Sequence, residues 1–266
     1  MTQIDPGSYA TARDGCRLFY RFDGAPAGAP VLVLAHALGA SHAMWDAQLA
    51  LAPELRLLRY DSRGHGRSDV PAGPYTVEML AADVVAVLDH AAIERAAFCG
   101  LSMGGMVGQA LGRLHGERLE RLVLANTAAV MGPPESWDAR IELARTGGMV
   151  ALRDTVLERW FTPEFRRGDP AAVARIGALF EATSVTGYVG CCAAIRTMDQ
   201  RATLADITAP TMVLVGSHDP STPPELGEFI AAAVPGARLV RIDAAHLSNV
   251  ERPAEFSAAV REFVLV

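Results

Sequence analysis

The sequence predicts an α/β fold: a mostly parallel central sheet with helices on both faces and an inserted helical cap. Three features carry that reading. Short continuous apolar runs alternate with helix-like stretches, as expected of strands buried on two faces by right-handed crossovers. Within the first series, Ala96–Val107 reads as a strand that turns abruptly into a helix through Gly100-Leu101-Ser102-Met103-Gly104. The alternation then lapses from Val130 to about Ile207, where only helix-like stretches occur, and resumes afterwards. A chain of 266 residues, 50% hydrophobic, suits one large α/β unit formed by residues 1–129 and 208–266, with residues 130–207 as the cap.

Taken in order, Ser8–Ala12 and Cys16–Phe22 read as strands joined at Asp14-Gly15, a good hairpin turn. Gly24–Pro30 is a loop. Val31–Ala35 is apolar throughout and reads as an inner strand; a helix is expected near Ala43–Leu51 and the next strand over Leu55–Tyr60. Thr76 is placed to cap a helix reaching about Ala91, with Val77, Leu80, Ala81, Val84, Val87 and Leu88 on its apolar face. The elbow strand and helix follow, then a strand at Leu122–Ala125. After the cap come a strand at Thr211–Val215, a helix near Pro224–Ala233, a strand at Arg238–Ile242 and a final helix at Ala254–Val264. Trp137 and Trp160 both fall in the cap, with Phe161 and Tyr188. No repeat or low-complexity tract divides the chain.

Composition narrows the function classes. A net charge of −6 argues against non-specific binding to nucleic acid or anionic membranes, while leaving room for a local arginine to receive an anion. No apolar run reaches the length of a bilayer span, and Met-Thr-Gln-Ile-Asp-Pro lacks the basic and apolar regions of a signal peptide. Cys16, Cys99, Cys191 and Cys192 show neither a C-x-x-C pair nor metal-ligand spacing, and a bridge between the adjacent pair would be strained. Reduced thiols in a cytoplasmic protein are the expectation.

The chemistry centres on Ser102. Glycines two residues to either side make it a G-x-S-x-G nucleophile elbow, although a plain glycine-rich turn has the same pentapeptide. Strained backbone at the serine projects its hydroxyl, and the crowding of strand against helix leaves no space for side chains at 100 and 104. A serine nucleophile needs a base, and the base a carboxylate, here expected in the chain order Ser, acid, His. Asp219 lies just beyond the Thr211–Val215 strand, at the end where sites of open α/β sheets gather. Asp206 precedes that strand and lies at the wrong end; Asn126 and Thr127, after the preceding strand, cannot supply the charge. His246, after the last strand, has the right order and loop. His218 is too near Asp219 in sequence to be oriented by it, and His65 suits a structural hydrogen bond in its Gly-rich turn. His42, His90 and His115 fall on expected helices and read as surface residues, and no pair has metal-site spacing. Two backbone N–H groups, of Leu38 and Met103, are the candidate oxyanion donors.

With these residues in hand, the chain resembles the α/β-hydrolase superfamily, whose capped members share the Asp61-Ser62-Arg63-Gly64-His65-Gly66-Arg67-Ser68 turn. More closely, segments 122–129, 159–165, 187–196 and 245–251 resemble the 3-oxoadipate enol-lactonase family, and the likeness runs from about Val31 through the cap to the C-terminus. His36-Ala37 departs from the Asn-Ser expected before Leu38-Gly39, which puts ring contacts from that loop in doubt and leaves the backbone donor in place. The resemblance implies hydrolysis of 3-oxoadipate enol-lactone through an acyl-enzyme, in the β-ketoadipate route of bacterial aromatic catabolism, with no cofactor. It implies a small anionic lactone as substrate, for whose carboxylate Arg140 and Arg196 are candidate clamps. Trp137, Trp160 and Tyr188 are candidate pocket walls, with packing inside the cap as the alternative. An esterase, a perhydrolase or a carbon–carbon hydrolase of the same fold, or a ligand receptor, are the rival readings.

Overall fold

The structure, a computed structural model, describes residues 6–266. Eight strands form one sheet in the order β1-β2-β4-β3-β5-β6-β7-β8. β1 (Ser8–Thr11) and β2 (Arg17–Gly24) are antiparallel to their neighbours. β3 (Val31–Ala35), β4 (Arg56–Tyr60), β5 (Ala96–Leu101), β6 (Leu119–Ala125), β7 (Thr211–Gly216) and β8 (Arg238–Ile242) run parallel. Every residue of β3, β5 and β7 is buried, which requires cover on both faces and explains their unbroken apolar runs.

That cover is helical. α1 (Val77–His90) and α2 (Met103–Leu114) pack on each other, and Thr76 caps α1 by accepting from Met79 N at 3.1 Å. The stretch expected as a helix near Ala43–Leu51 is instead a 3₁₀ segment, His42–Leu51, whose side chains answer to tertiary partners more than to helix periodicity. Trp45 packs 5.9 Å from Phe256, Gln48 donates to Asn249 O, and Asp46 accepts from Arg59. Phe256 lies near the C-terminus, in the helix Pro253–Val264.

Between β6 and β7 the chain forms only helices and the 3₁₀ segment Arg201–Asp206, apart from one bridge between Val130 and Asp199. These helices are α3 (Pro134–Gly147), α4 (Val150–Trp160), α5 (Pro163–Gly168), α6 (Pro170–Glu181) and α7 (Val185–Thr197). Beyond them lie α8 (Pro224–Ala233), α9 (Ser248–Glu251) and α10 (Pro253–Val264). Trp160, Phe180 and Tyr188 stack edge to face and join the same apolar core as the sheet. No single helix among the described residues is long and apolar enough to cross a membrane.

Candidate active site

Ser102 stands between β5 and α2 with φ 58° and ψ −116°, a backbone region that costs a non-glycine residue about 1–3 kcal/mol. Its neighbours hold it there: Ser102 N donates to Ala125 O (2.9 Å), and Ser102 O accepts from the Thr127 hydroxyl (2.8 Å). A Cβ on Gly100 would strike the Gly104 carbonyl, and one on Gly104 the Ala35 carbonyl. The glycines are therefore set by close approach of helix to strand.

Asp219 and His246 follow β7 and β8 and meet at the same end of the sheet. Asp219 is buried and takes five donors. Oδ1 accepts from the N–H groups of Ser221 (2.7 Å) and Thr222 (2.9 Å); Oδ2 accepts from the Thr222 hydroxyl (2.7 Å), Asn126 Nδ2 (3.0 Å) and His246 Nδ1 (2.8 Å). Burial pushes the carboxyl up, but the adjacent imidazole and these donors outweigh it and hold the group below its usual range. Since an ionised carboxylate only accepts, His246 Nδ1 carries the hydrogen in that bond.

Asn126, dismissed in the sequence as uncharged, has a supporting place. With φ 44° at the end of β6, it donates to Asp219 and to Ala245 O (3.3 Å) and accepts from the Ser248 hydroxyl (2.6 Å). The position after β6 was the signal; only a search for partners of the acid could have found it.

Ser102 and His246 line one cavity of about 350 Å³, together with Leu38, Met106, Met131, Trp137, Leu143, Leu152, Ile195 and Thr222. Its charged lining consists of two arginines, Arg140 and Arg159, with no acidic residue. Arg140 donates from Nε to the Tyr188 hydroxyl (2.6 Å) and lies over the Trp137 ring at 5.5 Å. Arg159, given no role in the sequence, donates to Pro220 O (3.0 Å) beside Asp219. Three expectations need correction. Arg196 is outside the cavity, on a solvent-facing part of α7, where Asp138 pairs with it at 2.6 Å. Trp160 is buried against Phe180 and does not line the cavity. Tyr188 is likewise interior and reaches the cavity only through its bond to Arg140.

The Leu38 turn is built from buried, neutral histidines. Gly39 N donates to His65 Nε2 (2.9 Å) and Ser62 N to His36 Nε2 (3.0 Å), so the remaining ring N–H groups face Arg63 O and Ala37 O. Burial holds His36 below its usual value and, with His36 beside it, His65 down to about 3. Gly39, at φ 78°, lies against Phe180 and Tyr188, where a Cβ would strike the Phe180 ring and crowd that of Tyr188. His42 is no surface residue: its Nδ1 sits 2.9 Å from the buried Asp61. His218 is exposed and pairs with Asp243 (2.7 Å), and Asp206 lies before β7, away from the site. Among the described residues no cluster of His, Cys, Asp or Glu could hold a metal.

Fold and site together define a class. Residues 30–253 match the α/β hydrolase fold family, and the chain belongs to it. Within it, the chain is 39% identical over 232 residues to 3-oxoadipate enol-lactonase 2 of Acinetobacter baylyi, covering 87% of each chain. It is 38% identical to 3-oxoadipate enol-lactonase 1 of the same organism, covering 96% of this chain and 95% of the relative. Among solved structures, the enol-lactonase of Burkholderia xenovorans LB400 superimposes with a TM-score of 0.95 at 45% identity, covering 97% of this chain and 100% of that one.

Proposed function

We propose that the protein is a 3-oxoadipate enol-lactonase working by a Ser102–His246–Asp219 triad. The observation that carries the reading is one cavity holding Ser102 and His246 on one wall and two arginines with no acidic neighbour among its lining. Such a cavity favours an anion and excludes cations. His246 Nε2 takes the Ser102 proton as Oγ attacks the lactone carbonyl, and the N–H groups of Leu38 and Met103 receive the developing oxyanion. The ring C–O bond breaks; the enolate leaves, takes the proton back from His246 and becomes the ketone. The opened chain stays attached as an ester of Ser102. His246 then draws a proton from water, hydroxide adds to the ester, and 3-oxoadipate departs as Ser102 regains its proton. Every proton in this scheme passes through His246.

In the same reading, α3–α7 form a cap over the sheet, and Arg140 receives the carboxylate that the ring does not use. Trp137 shapes the wall beside it. The four buried free cysteines support a cytoplasmic setting. The test is a pair of assays on one preparation. The enol-lactone should be cleared with a kcat/KM at least roughly a hundredfold above that for p-nitrophenyl acetate, which lacks the anion. Ser102→Ala should lower kcat by about four orders of magnitude or more without changing the fold. Equal or reversed preference would favour a general esterase; undiminished turnover by the variant would remove the serine mechanism.

A further inference from the structure

Glu251 has a buried carboxylate, 3% exposed, that none of the steps above employs. It ends α9, and its oxygens meet donors from two separated stretches of chain. Oε2 accepts from Ala245 N (3.1 Å) and Thr162 N (3.3 Å), and Oε1 accepts from the Thr162 hydroxyl. A buried carboxylate is unfavourable unless donors satisfy it. Here one donor is the residue before His246, and the others belong to the residue two beyond the end of α4. A second link runs alongside, from Leu247 N to Trp160 O at 3.0 Å. His246 is thus bracketed: residue 245 is tied through Glu251 to Thr162, and residue 247 to Trp160.

The far side of these ties faces the substrate cavity. Leu152, Thr155 and Arg159 of α4 all line it. The loop that carries His246 lies between β8 and α9, where no sheet ladder holds it, so its aim depends on such ties. We propose that Glu251 is a positioning residue which, through Thr162, locks the His246 loop to the cavity-lining helix α4. It keeps the imidazole aligned with Ser102 as the substrate settles against that helix. The proposal rests on the reading of His246 as the general base. Misplacing a catalytic group by about 1 Å can lower a rate on the order of a hundredfold, so a brace one residue away has leverage that ordinary packing lacks.

The experiment compares three variants. Thr162→Val removes the hydroxyl at constant shape, Thr162→Ser keeps it, and Glu251→Gln keeps the volume but places an amide where three donors converge. With the enol-lactone and with p-nitrophenyl acetate, T162V and E251Q should each lose roughly ten- to a hundredfold in kcat. KM should stay within about threefold, and T162S should match wild type. Combining T162V with E251Q should add little to the worse single variant, since both cut one connection. If folded T162V turns over at the wild-type kcat, whatever its melting temperature, Glu251 serves the fold alone and the proposal fails. T162V carries the test even where E251Q does not fold. Ser102→Ala run in parallel separates the two failures: activity in that variant overturns the triad and this proposal together, whereas its silence beside an unimpaired T162V overturns the brace only.

Discussion

The rim of the sheet and the helices above it furnish two walls of one cavity, but they are held in place differently. On the rim, Asp219 answers to five donors from its own loop, from Asn126 just after β6 and from His246. Ser102 is pinned by Ala125 and Thr127 from the adjoining strand end. On the helical wall, Arg140 has one hydrogen bond, to Tyr188, and the faces of two rings; Arg159 has one carbonyl. The polar groups that must hold a fixed geometry are thus cross-linked between parallel strands. The arginines that line the cavity hang on single hydrogen bonds and keep most of their guanidinium donors unused by the protein. In this account the rim determines the reaction and the helices determine which molecule undergoes it.

The largest effect should come from breaking the rim. Asp219→Asn keeps the shape but can donate to Nδ1, favouring the wrong imidazole tautomer; kcat should drop by roughly three to four orders of magnitude. Steady-state turnover of the enol-lactone by folded variant checks this. On the helical wall the expected change is smaller and of another kind. Arg140→Ala should raise KM for the anionic lactone by about ten- to a hundredfold, the range of a hydrogen bond to a charged group, and hardly alter that for p-nitrophenyl acetate. Arg196→Ala, made in parallel, should leave KM within about twofold, because its exposed pairing with Asp138 contributes little. Equal responses of the two variants would erase the distinction between cavity and surface arginines.

A gentler test uses acid. Burial keeps His65 neutral to about 3, whereas in the unfolded chain it takes a proton near its ordinary value, about 6.5. The unfolded state therefore binds more protons between those limits. Stability supplied by the neutral imidazole is complete above about 6.5 and is lost as pH falls towards 3. His36, lowered by burial, acts in the same direction. Urea midpoints should fall between pH 7.5 and pH 5, because the unfolded chain takes up protons there that the folded turn, with His65 Nε2 accepting from Gly39 N, refuses. A flat profile would mean that the folded turn does not keep these imidazoles neutral.

What could be read from the sequence follows the same division. Strand order and loop position locate Ser102, Asp219 and His246, because parallel topology sends every strand's C-terminal end to one edge. Leu38, in the turn after β3, comes to the same cavity for the same reason. Arg196 was misplaced because helical periodicity does not say which face turns inward when the neighbour, α3, is itself unplaced. Arg159 was missed because its position over the cavity follows from how α4 crosses the Pro220 loop. Trp160 and Tyr188 show the limit for aromatics: the same composition serves a pocket wall or a packed interior. His42 looked like a surface residue since its partner Asp61 lies on a different strand end. The 3₁₀ form of His42–Leu51 depends on contacts with α9, α10 and the sheet that local spacing does not contain.

The convergence of Ser102 with His246 is tested most directly by covalent labelling with a fluorophosphonate, followed by peptide mapping. Wild-type protein should carry the label on Ser102 alone, and His246→Ala, folded but without its base, should label at least about a hundredfold more slowly. Label on another residue, or equal rates in the two proteins, would contradict the account.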